Sequence, residues 1–211
     1  MTISNSPIRY NFINNKILSF YKKHNILKFP ITINKLINVI NQYPNCKVLS
    51  YSHFMKIHNC TLQEVILFCD SKSGCTHYDK INDRYLILYN DLPDNNNVEG
   101  RILWTLAHEI GHILSAHFLL IKENMIADNS IASSVNVLLE QEADYFTATF
   151  LAPFQLFKTL NINSPIDIQK TFGLSVQASI YRWDKYLKWK QNHIKTAFDN
   201  DIIKVISNQN L

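Results

Sequence analysis

Apolar residues recur at helical spacing over most of the chain, and only short stretches are patterned like strands. From Asn11 to Phe29 the positions Phe12, Ile13, Ile17, Leu18, Phe20 and Tyr21 fall at roughly helical intervals, and Pro30 follows. A second helix is expected near Ile33–Gln42, with Leu36, Ile37, Val39 and Ile40 on one side, stopping before Pro44. Lys47–Ser52 reads as a short strand, while Thr61–Phe68 suits helix or strand equally. Arg84–Asn90 is β-favouring and bounded by Asp/Asn clusters, which predicts a largely buried strand. Asp70–Cys75 is turn-rich, and Asp91–Asn97, with Pro93 and three consecutive asparagines, is a loop. The pattern then predicts a helix over Val98–Leu120, with an apolar stripe of Ile102, Leu103, Leu106, Ile110, Ile113 and Leu114. Polar, irregular chain follows over Glu123–Ser134, then a helix over Val135–Leu151 that ends at Pro153. One or two helices are expected in Pro165–Lys190, and a last helix with a frayed end in Asn192–Leu211.

The class is therefore α+β, predominantly helical with a small sheet. Neither an internal repeat nor a dividing linker is visible, so residues 1–211 are expected to form a single domain. Its core spans about 33–190, with an N-terminal helical extension over 1–32 and a C-terminal helix or tail over 191–211.

Composition changes this picture little. The chain is 46% hydrophobic and 18% charged, which suits a globular rather than a disordered protein. The net charge of +4 is mild and its lysines are scattered, so direct nucleic-acid binding is not expected. Met1–Phe12 lacks the apolar run of a signal peptide, and stretches such as Ile102–Ala107 are too short to span a bilayer. Cys46, Cys60, Cys69 and Cys75 include no C-x-x-C pair and read as reduced, mainly buried thiols. The expected setting is the cytoplasm, away from membranes.

Chemistry enters with His108-Glu109-Ile110-Gly111-His112, an H-E-x-x-H sequence on the Val98–Leu120 helix. Four residues apart on a helix, the two imidazoles share one face and can reach a single metal ion. Glu109 projects beside them toward the water at an open coordination position, where it could act as catalytic base. Gly111 inside a helix costs about 1 kcal/mol relative to alanine, which implies close approach of another backbone. A third ligand is required. His117 sits about 140° round from His112 on a continuing helix, so it reads as a surface or otherwise satisfied histidine. Glu140 is the only glutamate with an aspartate four residues on, which places Glu140 and Asp144 on one face of the next helix. Glu140 could bind the metal while Asp144 accepts the free ring N–H of a liganding histidine. Glu142, about 200° from Glu140 around that helix, stays open as the alternative ligand, and it also fits an ordinary exposed acidic face. The donor set of two histidines and a carboxylate suits one Zn2+ ion best.

These residues resemble the ImmA/IrrE family of metallopeptidases. His108–His112, then Glu140-Gln141-Glu142-Ala143-Asp144-Tyr145-Phe146, then the close at Phe150–Pro153, match its H-E-x-G-H and E-x-E-A-(N/D)-x-F-A pattern. Phe172-Gly173-Leu174-Ser175, with Ala178 and Arg182, resembles its trailing segment, and the likeness covers about Ile81 to Leu187. Thr147, Ala152 and Leu174 depart from the pattern at packing positions. The resemblance implies a compact zincin-like domain with the sheet beside the H-E-x-x-H helix. It also implies His108, His112 and a glutamate of the second motif as ligands, and Glu109 as catalytic base. The implied activity is intracellular, often regulatory, proteolysis of a protein substrate such as a helix-turn-helix repressor of a phage, mobile element or stress circuit. The alternative is a metal-binding regulatory protein that inactivates its partner by association.

Other readings compete locally. Tyr145, Tyr89 and His117 are unranked candidates for a donor to the oxyanion. The Tyr85–Asn90 strand either edges the cleft and pairs with substrate or lies in the sheet interior. Ile166–Trp183 has tolerable helix-turn-helix spacing, with Gln177, Ser179 and Arg182 on its second helix, but it also matches the peptidase family's own ending. Tyr181, Trp183, Tyr186 and Trp189 suit core packing better than a partner surface.

Overall fold

The computed structural model describes residues 7–92, 98–120, 125–127 and 134–207. In chain order these form α1 (Tyr10–His24), α2 (Ile33–Ile40), β1 (Cys46–Ser50), α3 (Tyr51–His58), α4 (Leu62–Cys69), β2 (Gly74–Asp79), β3 (Arg84–Tyr89) and α5 (Val98–Leu114). Then come β4 (Met125–Ala127), α6 (Ser134–Leu151), α7 (Pro165–Phe172), α8 (Val176–Asn192) and α9 (Ala197–Ser207). The structure is α+β and predominantly helical, as the pattern predicts.

The local signals explain most boundaries. Thr61 caps α4 through a reciprocal pair with Glu64: its hydroxyl accepts the Glu64 N–H, and the Glu64 carboxylate accepts the Thr61 N–H at 2.7 Å. That capping box resolves Thr61–Phe68 as helix. Ser164 caps α7 with Pro165 in the first turn, and Gly173 ends it in the left-handed region at φ 71°. Ser175 then caps α8.

Four strands form one sheet in the order β1-β3-β2-β4. β3 pairs in parallel with β1 and antiparallel with β2, so Val48, Ile87 and Thr76 lie in one cross-sheet row, with Ile126 of β4 completing it. β3 is thus an interior strand, and of the two readings of Tyr85–Asn90 the structure selects the interior one. The side chains of β3 alternate between two apolar layers. Ile87 joins the main core with Leu106 and Ile110 of α5, while Leu88 joins a smaller cluster of Tyr51, Val65, Cys69 and Cys75 beneath α3 and α4. Cys69 and Cys75 are buried thiols, and Cys46 and Cys60 are free and half-buried.

Helix α5 runs across the sheet, and α6 packs along its other side. The main core lies between them and is closed by α1, α7 and α9, which contribute Ile17, Phe172 and Ile202, all fully buried. The C-terminal end of α6 is held by Arg182, whose Nε donates to the Ala152 carbonyl at 2.9 Å while its guanidinium lies 3.5 Å over the Phe154 ring. Arg182 and Ser179 are buried, so the helix pair α7–α8 does not present them for DNA contact, whereas Gln177 is exposed. Tyr186 is also buried, Trp183 and Trp189 pack against the core, and Tyr181 stays exposed.

Three expectations need correction. The helix carrying H-E-x-x-H ends at Leu114 rather than Leu120, because Ala116 adopts a left-handed conformation (φ 58°) and His117–Leu119 turn as a short 3₁₀ segment. Within the stretch expected to be irregular, Met125–Ala127 form β4, and the rest of it lies outside the described residues except Ser134, which opens α6. Helix α3 and strand β2 have no counterpart in the sequence reading. Asp91–Asn97 falls outside the described residues beyond Leu92.

Gly74 is the position where β2 meets both β3 and α5. A Cβ there would sit 2.6 Å from the Leu88 carbonyl and 2.6 Å from the Thr105 methyl. Gly74→Ala is expected to lower the unfolding free energy by about 1–3 kcal/mol, read as an earlier urea midpoint at unchanged m-value.

Candidate metal centre

Helix geometry brings His108 and His112 to one face of α5, one turn apart, and both are almost fully buried. Helix α6 crosses that face and places Glu140 against them. The His108 and His112 Nε2 atoms are 3.0 Å apart. Glu140 places Oε2 3.0 Å from His108 Nε2 and Oε1 3.4 Å from His112 Nε2. Ligands about 2.0–2.1 Å from a tetrahedral zinc lie roughly 3.3–3.4 Å apart, so these separations are close to those of a metal's coordination edges. Among the described residues, His108, His112 and Glu140 are grouped so that one small cation could touch all three.

Proton placement supports the same fit. His108 Nδ1 lies 3.3 Å from Asp144 Oδ1, so a proton placed on Nδ1 has a carboxylate beside it and leaves Nε2 as the lone pair a cation needs. His112 Nδ1 lies 2.8 Å from His117 Nδ1, and His117 Nε2 lies 3.0 Å from Glu142 Oε2. A carboxylate only accepts, so His117 donates from Nε2 and accepts from the His112 Nδ1–H. His112 Nε2 is then bare as well. With both rings protonated at Nδ1, the two Nε2 lone pairs and the Glu140 carboxylate leave a place for a positive charge among them, whereas a proton on either Nε2 is shared with Glu140 instead.

Electrostatics follows from burial and these partners. Burial lowers the His112 pKa to about 3, against the weaker opposing pull of Glu140. His117 is lowered too, mainly by burial, with its hydrogen bond to Glu142 acting the other way. Burial alone would raise Glu140, but its hydrogen bonds with His108 and His112 outweigh that and hold it near about 2. Glu142, whose burial also opposes ionisation, is held near about 2 by His117 and by Arg9.

Glu109 lies on α5 beside the two histidines and is buried. Thr76 of β2 donates its hydroxyl to Glu109 Oε2 at 2.6 Å, which holds the carboxylate between sheet and helix.

Homology now joins the geometry. A sequence model described as the IrrE N-terminal-like domain, a peptidase family, matches residues 61–184, more than half of the chain. The chain belongs to this family. Such domains are metallopeptidases of zincin-like type, and the match contains every residue of the three-ligand cluster as well as Glu109 and Thr76. No curated protein matches the chain.

Within this IrrE-like domain the structure sorts the predicted residues. It brings together His108, His112 and Glu140, with Asp144 behind His108, and it keeps Glu142 out of the cluster. Of the two readings of His117 the structure selects the satisfied one: the break at Ala116 folds it back under His112, fully buried and bonded to His112 and Glu142. Glu142 is not part of a solvated face. It is fully buried and ion-paired to Arg9, whose Nε and backbone N–H both donate to it. The signal for that burial was present, since Leu139, Glu142, Ala143 and Phe146 share one helical stripe. The reason expected for Gly111 also changes: a Cβ there would meet the Phe146 side chain of α6 at 3.0–3.3 Å, not another backbone. Of the oxyanion candidates, Tyr145 donates its hydroxyl to Asn14 and His117 stands behind His112. Thr76 and Arg9 were missed, because nothing local to either residue points to partners 33 and 133 positions away.

The shifts set an acid limit. For His112 and Glu142 the folded pKa lies below the ordinary value, so the unfolded chain binds more protons and stability falls as pH falls. In chelated protein the urea midpoint should hold above pH 6.5. It should decline steadily toward about pH 3 as unfolded histidine gains protons that buried His112 refuses, with Glu142 adding to the loss between 4.5 and about 2. A midpoint constant from pH 7 to pH 4 would contradict these assignments.

Proposed function

We infer that the chain is a zinc-dependent endopeptidase acting on a protein substrate. The observation that carries this reading is the convergence of His108, His112 and Glu140 within coordination range, with the buried carboxylate of Glu109 alongside. Two nitrogens and one oxygen with a position left open suit zinc in a hydrolytic site better than the harder divalent ions.

A bound zinc ion would supply Lewis acidity, making water acidic enough to attack near neutral pH and polarising the scissile carbonyl. His108, His112 and Glu140 would hold it, and Asp144, 3.3 Å from His108 Nδ1, would orient that ring. Glu109 takes the proton from the attacking water and passes it to the leaving amine. Thr76 steadies Glu109 by donating its hydroxyl to one carboxylate oxygen. Water is partly excluded, because His108, Glu109 and His112 are all buried.

The family favours a regulatory substrate in the cytoplasm, such as a helix-turn-helix repressor. Among the described residues no helix is long and apolar enough to cross a membrane. The test is incubation of the zinc-loaded protein with a repressor encoded beside it, followed by mass analysis of fragments. Cleavage is expected to fall at least about 100-fold in Glu109→Gln with bound zinc retained, and to vanish in His112→Ala with zinc lost. Repressor inactivation that persists undiminished in Glu109→Gln would instead establish action by association.

A further inference from the structure

We propose that His117, Glu142 and Arg9 are positioning residues for the ligand His112, and that the hold on the cation depends on Arg9 being docked against α6. This rests on the reading of His108, His112 and Glu140 as metal ligands. The three residues form a continuous chain behind His112: Nδ1 to Nδ1 at 2.8 Å, then Nε2 to Glu142 Oε2 at 3.0 Å, then Glu142 to the Arg9 Nε and backbone N–H at 3.0 and 2.8 Å. His117 and Glu142 are completely buried, whereas the Arg9 side chain is 35% exposed.

The direction of the chain is forced. Arg9 only donates and an ionised carboxylate only accepts, so Glu142 must receive the His117 Nε2–H. Neutral His117 then accepts at Nδ1, and His112 carries its proton on Nδ1 with Nε2 bare toward Glu140 and His108. Reversing any link would put a hydrogen on His112 Nε2, where it would occupy the lone pair that a cation needs. Packing alone gives no reason for this arrangement, because apolar side chains of similar volume fill such a space without the desolvation cost of a buried ion pair. Arg9 has a second contact that locates the chain, donating from Nη2 to the Ser115 carbonyl at 3.1 Å just past the end of α5. It lies well outside the matched family region of residues 61–184. A segment remote in sequence thereby completes the support of the ligand.

The experiment measures zinc affinity of the full chain by competition with a chromogenic chelator, in wild type, Glu142→Gln, Arg9→Ala and Arg9→Lys. In Glu142→Gln the oxygen at Oε1 keeps the Arg9 Nε and backbone N–H, while an NH2 at the Oε2 position turns Arg9 Nη2 aside and donates to His117, which reverses the chain. Affinity should drop about 10–100-fold, with the imidazole ¹⁵N spectrum of the metal-free protein showing His112 protonated at Nε2 instead of Nδ1. Arg9→Ala should weaken zinc by about tenfold and Arg9→Lys should recover most of it. Wild-type affinity, within about twofold, in both Glu142→Gln and Arg9→Ala overturns the proposal. If Glu142→Gln does not fold, the surface substitution Arg9→Ala decides alone. A wild-type protein that binds no divalent metal would overturn the ligand reading itself, a result distinct from unchanged affinity in the variants.

Discussion

Helix α5 carries two imidazoles, helix α6 carries a carboxylate, and the crossing of these helices sets the distance between them. Gly111 lets the Phe146 ring close onto α5 at a point between the two histidines' turns, and a methyl group there would already press on that ring. The same close contact seats Glu140 against His108 and His112. A glycine that weakens the isolated helix thus serves the assembled pair, since the propensity loss of about 1 kcal/mol is offset by packing.

Most of the fold can be understood as holding that crossing still. The sheet lies under α5 and is covered on both faces, so β3 buries Ile87 toward the helix and Leu88 toward α3 and α4. From this platform Thr76 reaches Glu109. On the other side α1 seals α6, and the chain just before α1 supplies Arg9 to the buried Glu142. The polar groups around the centre have named counterparts: Thr76 for Glu109, Asp144 for His108, His117 for His112, Arg9 for Glu142. Such pairing is required because a carboxylate or imidazole moved out of water without a partner costs several kcal/mol. The facing atoms of His108, His112 and Glu140 share a common point, and a cation's charge fits there.

How far the chain could be read without coordinates depended on the range of each signal. The capping box Thr61–Glu64 and the stripe Leu139–Glu142–Phe146 are local signals, yet the sequence reading left Thr61–Phe68 open and allowed Glu142 a solvated face. Helix α3 was not legible: Tyr51–His58 is short, follows β1 without a loop, and buries only Tyr51. Strand β2 mixes glycine, cysteine, threonine and histidine, and becomes a strand by pairing with β3 on one edge and β4 on the other. The early end of α5 depends on Ala116 accepting a left-handed backbone, which alanine adopts only when contacts beyond it, here the burial of His117, compensate the strain.

By itself the sequence determined that His108 and His112 face one way and that Glu109 stands beside them, because a helix repeats every 3.6 residues wherever it lies. It also determined that Glu140 and Asp144 act from one face, for the same reason. The tertiary structure alone decided that Glu140 and not Glu142 joins the imidazoles, that His117 turns inward, and that Arg9 and Thr76 belong to the centre. Those choices depend on how two helices cross and where one of them breaks, and no spacing along a single helix contains that information.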